Sequence, residues 1–105
     1  MPAYMIVTAK ISDRAAFVGG YGAAAAALVG KFGGKYVLRA PGATGLEGSF
    51  GDGASMVISE WPDRAAAEAF WTSPEYAEVK KLREGIADCQ VLLIEAPRIN
   101  DQDAG

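Results

Sequence analysis

Apolar residues along this chain follow two rhythms, one of period two and one of period near 3.6. Ala3–Ile11 (AYMIVTAKI) is rich in β-branched and aromatic residues and stops at Ser12-Asp13, a helix-start pair, so it reads as a strand. Met5, Val7, Ala9 and Ile11 share one face; Tyr4, Ile6 and Thr8 share the other. Lys35–Ala40 is a second strand, closed by Pro41-Gly42. Residues 45–50 (GLEGSF) read as a short extended piece before a Gly51-Asp52-Gly53 turn. Residues 54–61 form a third full strand and 89–95 the last. The last strand is apolar on both faces, with Val91 and Leu93 opposite Leu92 and Ile94.

The longer rhythm marks the helices. Between Asp13 and Phe32, the residues Phe17, Tyr21, Ala24, Leu28 and Phe32 follow at spacings of 4, 3, 4 and 4, one stripe of a helix capped by Ser12 or Asp13. Gly19, Gly20 and Gly22 oppose that helix at about 1 kcal/mol each relative to alanine. Ala23 to Ala27 restore its propensity, and Gly33-Gly34 stops it. Pro62-Asp63 starts a second helix over Arg64–Trp71. Ser73-Pro74 restarts it, with Ser73 as N-cap and Pro74 at the first helical position. Tyr76, Val79, Arg83 and Ile86 lie on one face of that segment, with Gly85 near its end.

The order is β-α-β-β-α-β, the ferredoxin-like plan: an α+β fold with a four-stranded antiparallel sheet and its helices on one face. Residues 1–97 make one domain and 98–105 a polar, loose C-terminal tail. Two helices cover one sheet face, yet the first and last strands are apolar on both. A bare sheet face would be a large apolar patch for a monomer. The expected remedy is a homodimer packed sheet to sheet about a twofold axis.

Composition narrows the chemistry. Twenty alanines and thirteen glycines shrink the apparent hydrophobic half of this 105-residue chain. The net charge of −3 and the lack of a basic run remove the footprint of nucleic-acid binding. A single cysteine leaves no disulfide framework and no cysteine-cluster metal site. With no histidine, His general bases, Ser-His-Asp and Cys-His nucleophiles, His-ligated haem and His-based zinc sites are all excluded. No metal or cofactor is expected. The longest uncharged run, residues 15–30, carries four glycines and does not read as a membrane span; with no signal-peptide pattern, a cytoplasmic location is expected.

Several of these residues together carry a resemblance. Tyr4 lies in the first strand, Asp13 opens the first helix, and Phe32-Gly33-Gly34 precedes a strand with Arg39. Leu46-Glu47-Gly48 and Trp61-Pro62 follow. The most specific segment is Phe70-Trp71-Thr72-Ser73-Pro74-Glu75-Tyr76, with Arg83 seven residues on. From Tyr4 to Glu95 the chain resembles the DUF1330 family of small bacterial domains of unknown function. It departs at Gly19, Gly20 and Gly22, which loosen the first helix. The resemblance implies a dimeric α/β barrel in which two ferredoxin-like sheets face each other. Relatives in that superfamily include cofactor-free monooxygenases, muconolactone-type isomerases, haem enzymes and stress-response proteins, and fold does not choose among them.

The candidate residues each carry a functional and a structural reading. Arg39, placed by strict alternation with Val37 and opposite Tyr36 and Leu38, is an anion anchor in an apolar pocket or an ion-pair partner of Glu47 or Glu60. Glu47 is the candidate catalytic base, or a loop carboxylate. Trp71, Tyr76 and Arg83 are a stacking, hydrogen-bonding and charge-neutralising pocket wall, or they pack the helix break while Arg83 reaches a carboxylate. Tyr4 offers a phenol to a pocket, or sits in the core with its hydroxyl at the rim. Cys89 has no histidine to activate it and reads as a small hydrophobe. Asp13, Asp63 and Ser73 read as caps.

The expected function is a homodimer that binds a small acidic or aromatic molecule near the sheet. The alternative is a cofactor-independent isomerase or monooxygenase with Glu47 or a tyrosine as proton-transfer group. A third reading is a stress-associated protein whose dimer is its whole structure.

Overall fold

In the computed structural model, which describes residues 1–99, the four strands form one antiparallel sheet. β1 (Ala3–Ile11), β2 (Lys35–Ala40), β3 (Ser55–Trp61) and β4 (Ala87–Glu95) lie in the order β2-β3-β1-β4. β1 sits between β3 and β4, with Met5 opposite Ser59 and Leu93, and Val7 opposite Val57 and Val91. The helices all cover the face that carries Met5, Val7 and Ala9, and the core sits there: Ala3, Met5, Val29, Trp61, Ala67, Phe70 and Tyr76. This is the ferredoxin-like plan.

The first helical arm begins at α1 (Arg14–Ala16), where Asp13 Oδ1 accepts from the amide of Ala16 at 3.1 Å. The segment Phe17–Gly22 then widens into a π-helical stretch before α2 (Ala23–Lys31). The three glycines that argued against a helix thus fall where the ladder loosens. Gly33, at φ 94°, supplies the left-handed residue that ends α2, and the amide of Gly34 reaches back to Val29 O at 2.9 Å, a Schellman closure.

The second arm is better pinned. Asp63 caps α3 (Arg64–Trp71) through the amide of Ala66, and Ser73 caps α4 (Pro74–Lys80) through that of Tyr76. Such a cap is worth about 1 kcal/mol. Arg83 lies past α4, in the 3-10 turn Lys81–Arg83. The arm turns back on an aromatic stack, with ring centroids 5.1 Å apart for Trp61–Phe70, 4.6 Å for Phe70–Tyr76 and 5.1 Å for Trp71–Tyr76.

Two expectations change. Residues 45–50 form no strand; the chain from 41 to 54 is a loop whose polar links are internal, including Gly45 N to Asp52 Oδ1 at 2.7 Å. An isolated extended piece with no neighbour to pair with gains nothing from being a strand. The other change is in β2. Its register slips between Tyr36, opposite Ser59, and Leu38, opposite Ile58. Val37 is the extra residue, so Arg39, opposite Val57, shares the helix-side face with Tyr36 rather than with Val37.

Among the described residues the other sheet face carries no helix. Ile6, Ile58, Leu38, Leu92 and Ile94 lie on it, and Leu92 is 62% exposed. At one end of this face sits a buried carboxylate. Glu60, with its side chain 8% exposed, accepts from Tyr4 Oη at 2.8 Å and from Arg98 Nε and Nη2 at 2.8 and 2.9 Å, and Lys35 Nζ stands at 3.4 Å. Arg98 begins the expected C-terminal tail; residues 100–105 lie outside the described residues. No helix among the described residues is long and apolar enough to cross a membrane.

Candidate functional site

The glycine-rich arm does not lie flat on the sheet. Beneath it is a cavity of about 580 Å³, floored by Met5, Val7, Ala9, Val57 and Val91 and roofed by the residues from Phe17 to Ala26. That volume suits a small organic ligand. Small roof residues explain the hollow: Gly22, Ala23, Ala25 and Ala26 present almost no side chain to the floor.

The cavity is polar at two places. At the exposed end stand two arginines from different elements. Arg39 reaches it because of the bulge in β2, and its guanidinium lies 4.9 Å from the centroid of the Tyr36 ring. Arg14, the first residue of α1, donates from Nη2 to Ser55 Oγ at 3.0 Å. Neither has a carboxylate partner among the described residues. Glu60, named as a possible partner for Arg39, is taken by Arg98 and Lys35.

On the far flank, toward β4, Tyr21 and Tyr76 share a hydrogen bond of 2.7 Å between their hydroxyls. Tyr76 is 2% exposed, and both rings line the cavity beside Trp71 and Cys89. The Arg83 guanidinium stands 5.3 Å from the Tyr21 centroid, and its Nη1 is buried without a hydrogen-bond partner. Burial raises the titration of both tyrosines, with Arg83 pulling the other way, so both stay protonated at neutral pH. Burial also pushes the Cys89 thiol up, which keeps it a thiol and a poor nucleophile.

The structure therefore brings Arg39, Tyr76 and Trp71 to one cavity, with Arg83 behind its wall. It places Tyr4 elsewhere: its hydroxyl serves Glu60 on the opposite sheet face. Glu47 lies in the exposed 41–54 loop and does not line the cavity. Arg14 and Tyr21 went unmarked in the sequence. Arg14 carried a signal, because a cation in the first turn has the wrong sign for a helix dipole. Tyr21 was hidden in an apolar stripe.

The cavity offers hydrogen-bond donors: two guanidiniums, the three phenols of Tyr21, Tyr36 and Tyr76, the hydroxyls of Ser55 and Ser59, and a thiol. No Asp or Glu among the described residues lines it. Among the described residues no cluster of three or more His, Cys, Asp or Glu is placed to hold a metal ion.

Comparison with known proteins agrees with this fold. The family model described as a domain of unknown function, DUF1330, matches residues 2–97. A crystallised protein of unknown function from Rhodopseudomonas palustris aligns with 92% of this chain and 83% of its own, at 20% identity and a TM-score of 0.76. SnoaB, a cofactor-independent oxygenase from Streptomyces nogalater, aligns with 92% of this chain and 94% of its own, at 16% identity and a TM-score of 0.68. A protein described as an antibiotic biosynthesis monooxygenase aligns over 91% of this chain and 99% of its own, at 19% identity and a TM-score of 0.58. At these identities the likeness speaks for the fold alone. A search of curated proteins gave no significant match.

Proposed function

Since the chain belongs to the DUF1330 family, whose description names no activity, its function is read from the cavity, and we propose that it binds a small organic acid with an apolar body there. The observation that carries this is the arginine pair. Arg14 and Arg39 border an apolar cavity and have no carboxylate of their own among the described residues. A guanidinium in such a place is suited to a ligand carboxylate, held by charge-assisted hydrogen bonds. Proton-transfer chemistry has weaker support. A general base must reach the reacting proton, and the cavity is lined by donors.

The same proposal has two copies pairing their open sheet faces. Leu38, Leu92 and Ile94 are exposed there, and Leu46 in the 41–54 loop is 95% exposed. A twofold pairing would cover this surface. The location we propose is the cytoplasm, where the free Cys89 stays reduced. Light scattering at micromolar concentration is expected to give twice the 11.0 kDa chain mass, and a monomer would remove this part of the proposal.

The ligand test is a thermal-shift titration with aromatic carboxylates and their neutral amides. At about 100 times the dissociation constant a ligand adds about 2.7 kcal/mol, a shift of several degrees for a domain of this size. Carboxylates are expected to shift the melting temperature and amides to do so weakly. Arg39→Ala is expected to remove the difference. Equal shifts from acid and amide would sink the anion site.

A further inference from the structure

The arginine end of the cavity leaves its opposite flank without an assigned role, and that flank is polar in an unusual way. Tyr21 and Tyr76 have two hydroxyl hydrogens between them. Their mutual hydrogen bond uses one. Neither hydroxyl makes another hydrogen bond to a described residue. One phenolic hydrogen is therefore spare, on a pair whose Tyr76 member is 2% exposed and lines the cavity. A buried donor left unmade is costly, so it calls for an acceptor. The surrounding rings and Val91 supply none, and the Cys89 thiol beside them is only a weak acceptor.

Either hydroxyl can be the donor in the shared bond. When Tyr21 donates, the spare hydrogen is that of Tyr76, the buried member of the pair. Arg83, over the Tyr21 ring, adds positive charge behind the pair, and its Nη1 is a second buried donor with nothing to meet. That positive charge favours an oxygen with partial negative charge in front of the pair.

We infer that the ligand is an aromatic carboxylic acid with a second oxygen, a carbonyl or phenolic one, at the end away from its carboxylate, and that Tyr76 donates to that oxygen. This rests on the proposed binding of a carboxylate at Arg14 and Arg39. The spacing suits an extended body. Arg39 stands on β2 and Cys89 on β4, three strand steps apart, about 14 Å at ~4.8 Å per strand. The cavity between them holds about 580 Å³, room for fused rings rather than a bare acetate. Tyr21 is then a positioning residue: it fixes the Tyr76 hydroxyl so that its hydrogen points to the ligand.

The test uses the full chain and three compounds: 6-hydroxy-2-naphthoate, 2-naphthoate and 2-naphthol, titrated calorimetrically. The first is expected to bind about three- to tenfold more tightly than 2-naphthoate, the scale of one neutral hydrogen bond. Tyr76→Phe is expected to erase that preference while leaving 2-naphthoate affinity within about twofold. Arg39→Ala is expected to weaken both acids and leave 2-naphthol unchanged. If the two acids bind wild type equally, the inference falls and the carboxylate reading stands. If 2-naphthol binds and 2-naphthoate does not, the carboxylate reading falls and the donor at Tyr76 stands. If none of the three binds, both fall. The comparison of the acids needs no variant, so a Tyr76→Phe chain that failed to fold would not rescue the idea.

Discussion

The two ends of one sheet have been finished differently. At the end near Ala3 and Trp61 the charges are paired and the indole is closely packed on its Gly34 side, beside an open cleft of about 470 Å³ lined by Gly33, Lys35, Glu60, Trp61 and Arg98. Trp61 is 1% exposed, and a Cβ on Gly34 would lie 2.9 Å from three of its indole carbons. The carboxylate of Glu60 there meets Arg98, Tyr4 and Lys35. At the end near Ala9 and Ser55 the floor opens into the cavity, and Gly19 and Gly20 have nothing within 4 Å of where a Cβ would stand. Two guanidiniums stand there without a carboxylate among the described residues. Both ends are rich in charge, so charge alone does not mark a site. The partner does: a charge with its counter-charge in place belongs to the fold, and one without it is available to a ligand.

The largest effect should come from crowding the Trp61 end. Gly34→Ala forces a methyl to within 2.9 Å of a buried indole, and overpacking of this kind costs about 1–3 kcal/mol. A urea titration is expected to show a lower midpoint with an unchanged slope. A midpoint equal to wild type would mean that the Trp61 end is looser than its contacts imply.

A smaller effect, with a distinctive pH signature, should come from Glu60→Gln. The Arg98 fork, then Tyr4, hold the Glu60 carboxyl down at about 2, against an ordinary 4.5. A depressed folded value means stability that is present in full above the unfolded value. It fades as pH falls from about 4.5 and is gone below about 2. Wild type is therefore expected to be more stable than the variant at pH 7, with the gap narrowing between pH 4.5 and 2. A gap that stayed constant down to pH 3 would assign the loss to packing, and the Trp61 end would no longer be held by charge.

Much of this contrast was written in local sequence, and part was not. The strand limits of Ala3–Ile11 and Lys35–Ala40 follow from their residue types and from the stops at Ser12-Asp13 and Pro41-Gly42, and the starts of the second arm from Asp63 and Ser73, because caps and turn signals are properties of neighbours. The bulge at Val37 depends on what β3 offers across the ladder, so the face of Arg39 was misread. The Arg98–Glu60 pair spans 38 residues and leaves no local trace. Trp71 and Tyr76 were visible in the Trp-x-Ser-Pro-Glu-Tyr segment, but Tyr21 joins them across 55 residues. Glu47 drew notice because a carboxylate near strands reads as a base; only the path of the 41–54 loop shows that it does not line the cavity.

The finest test of the contrast adds a methyl where the molecule is open. Gly20 lies in the π-helical roof, its φ is not in the left-handed region, and it does not line the cavity. Gly20→Ala therefore meets no steric objection and removes backbone freedom from the unfolded chain. It is expected to stabilise by about 0.5–1 kcal/mol, opposite in sign to Gly34→Ala, and to raise the melting temperature by a few degrees. Ligand affinity separates two reasons for keeping glycine there. If affinity is unchanged, the glycines are tolerated because the hollow end asks nothing of them. If binding slows or weakens while the fold gains stability, the loose roof is what lets a ligand past Phe17 and Val18 into the cavity.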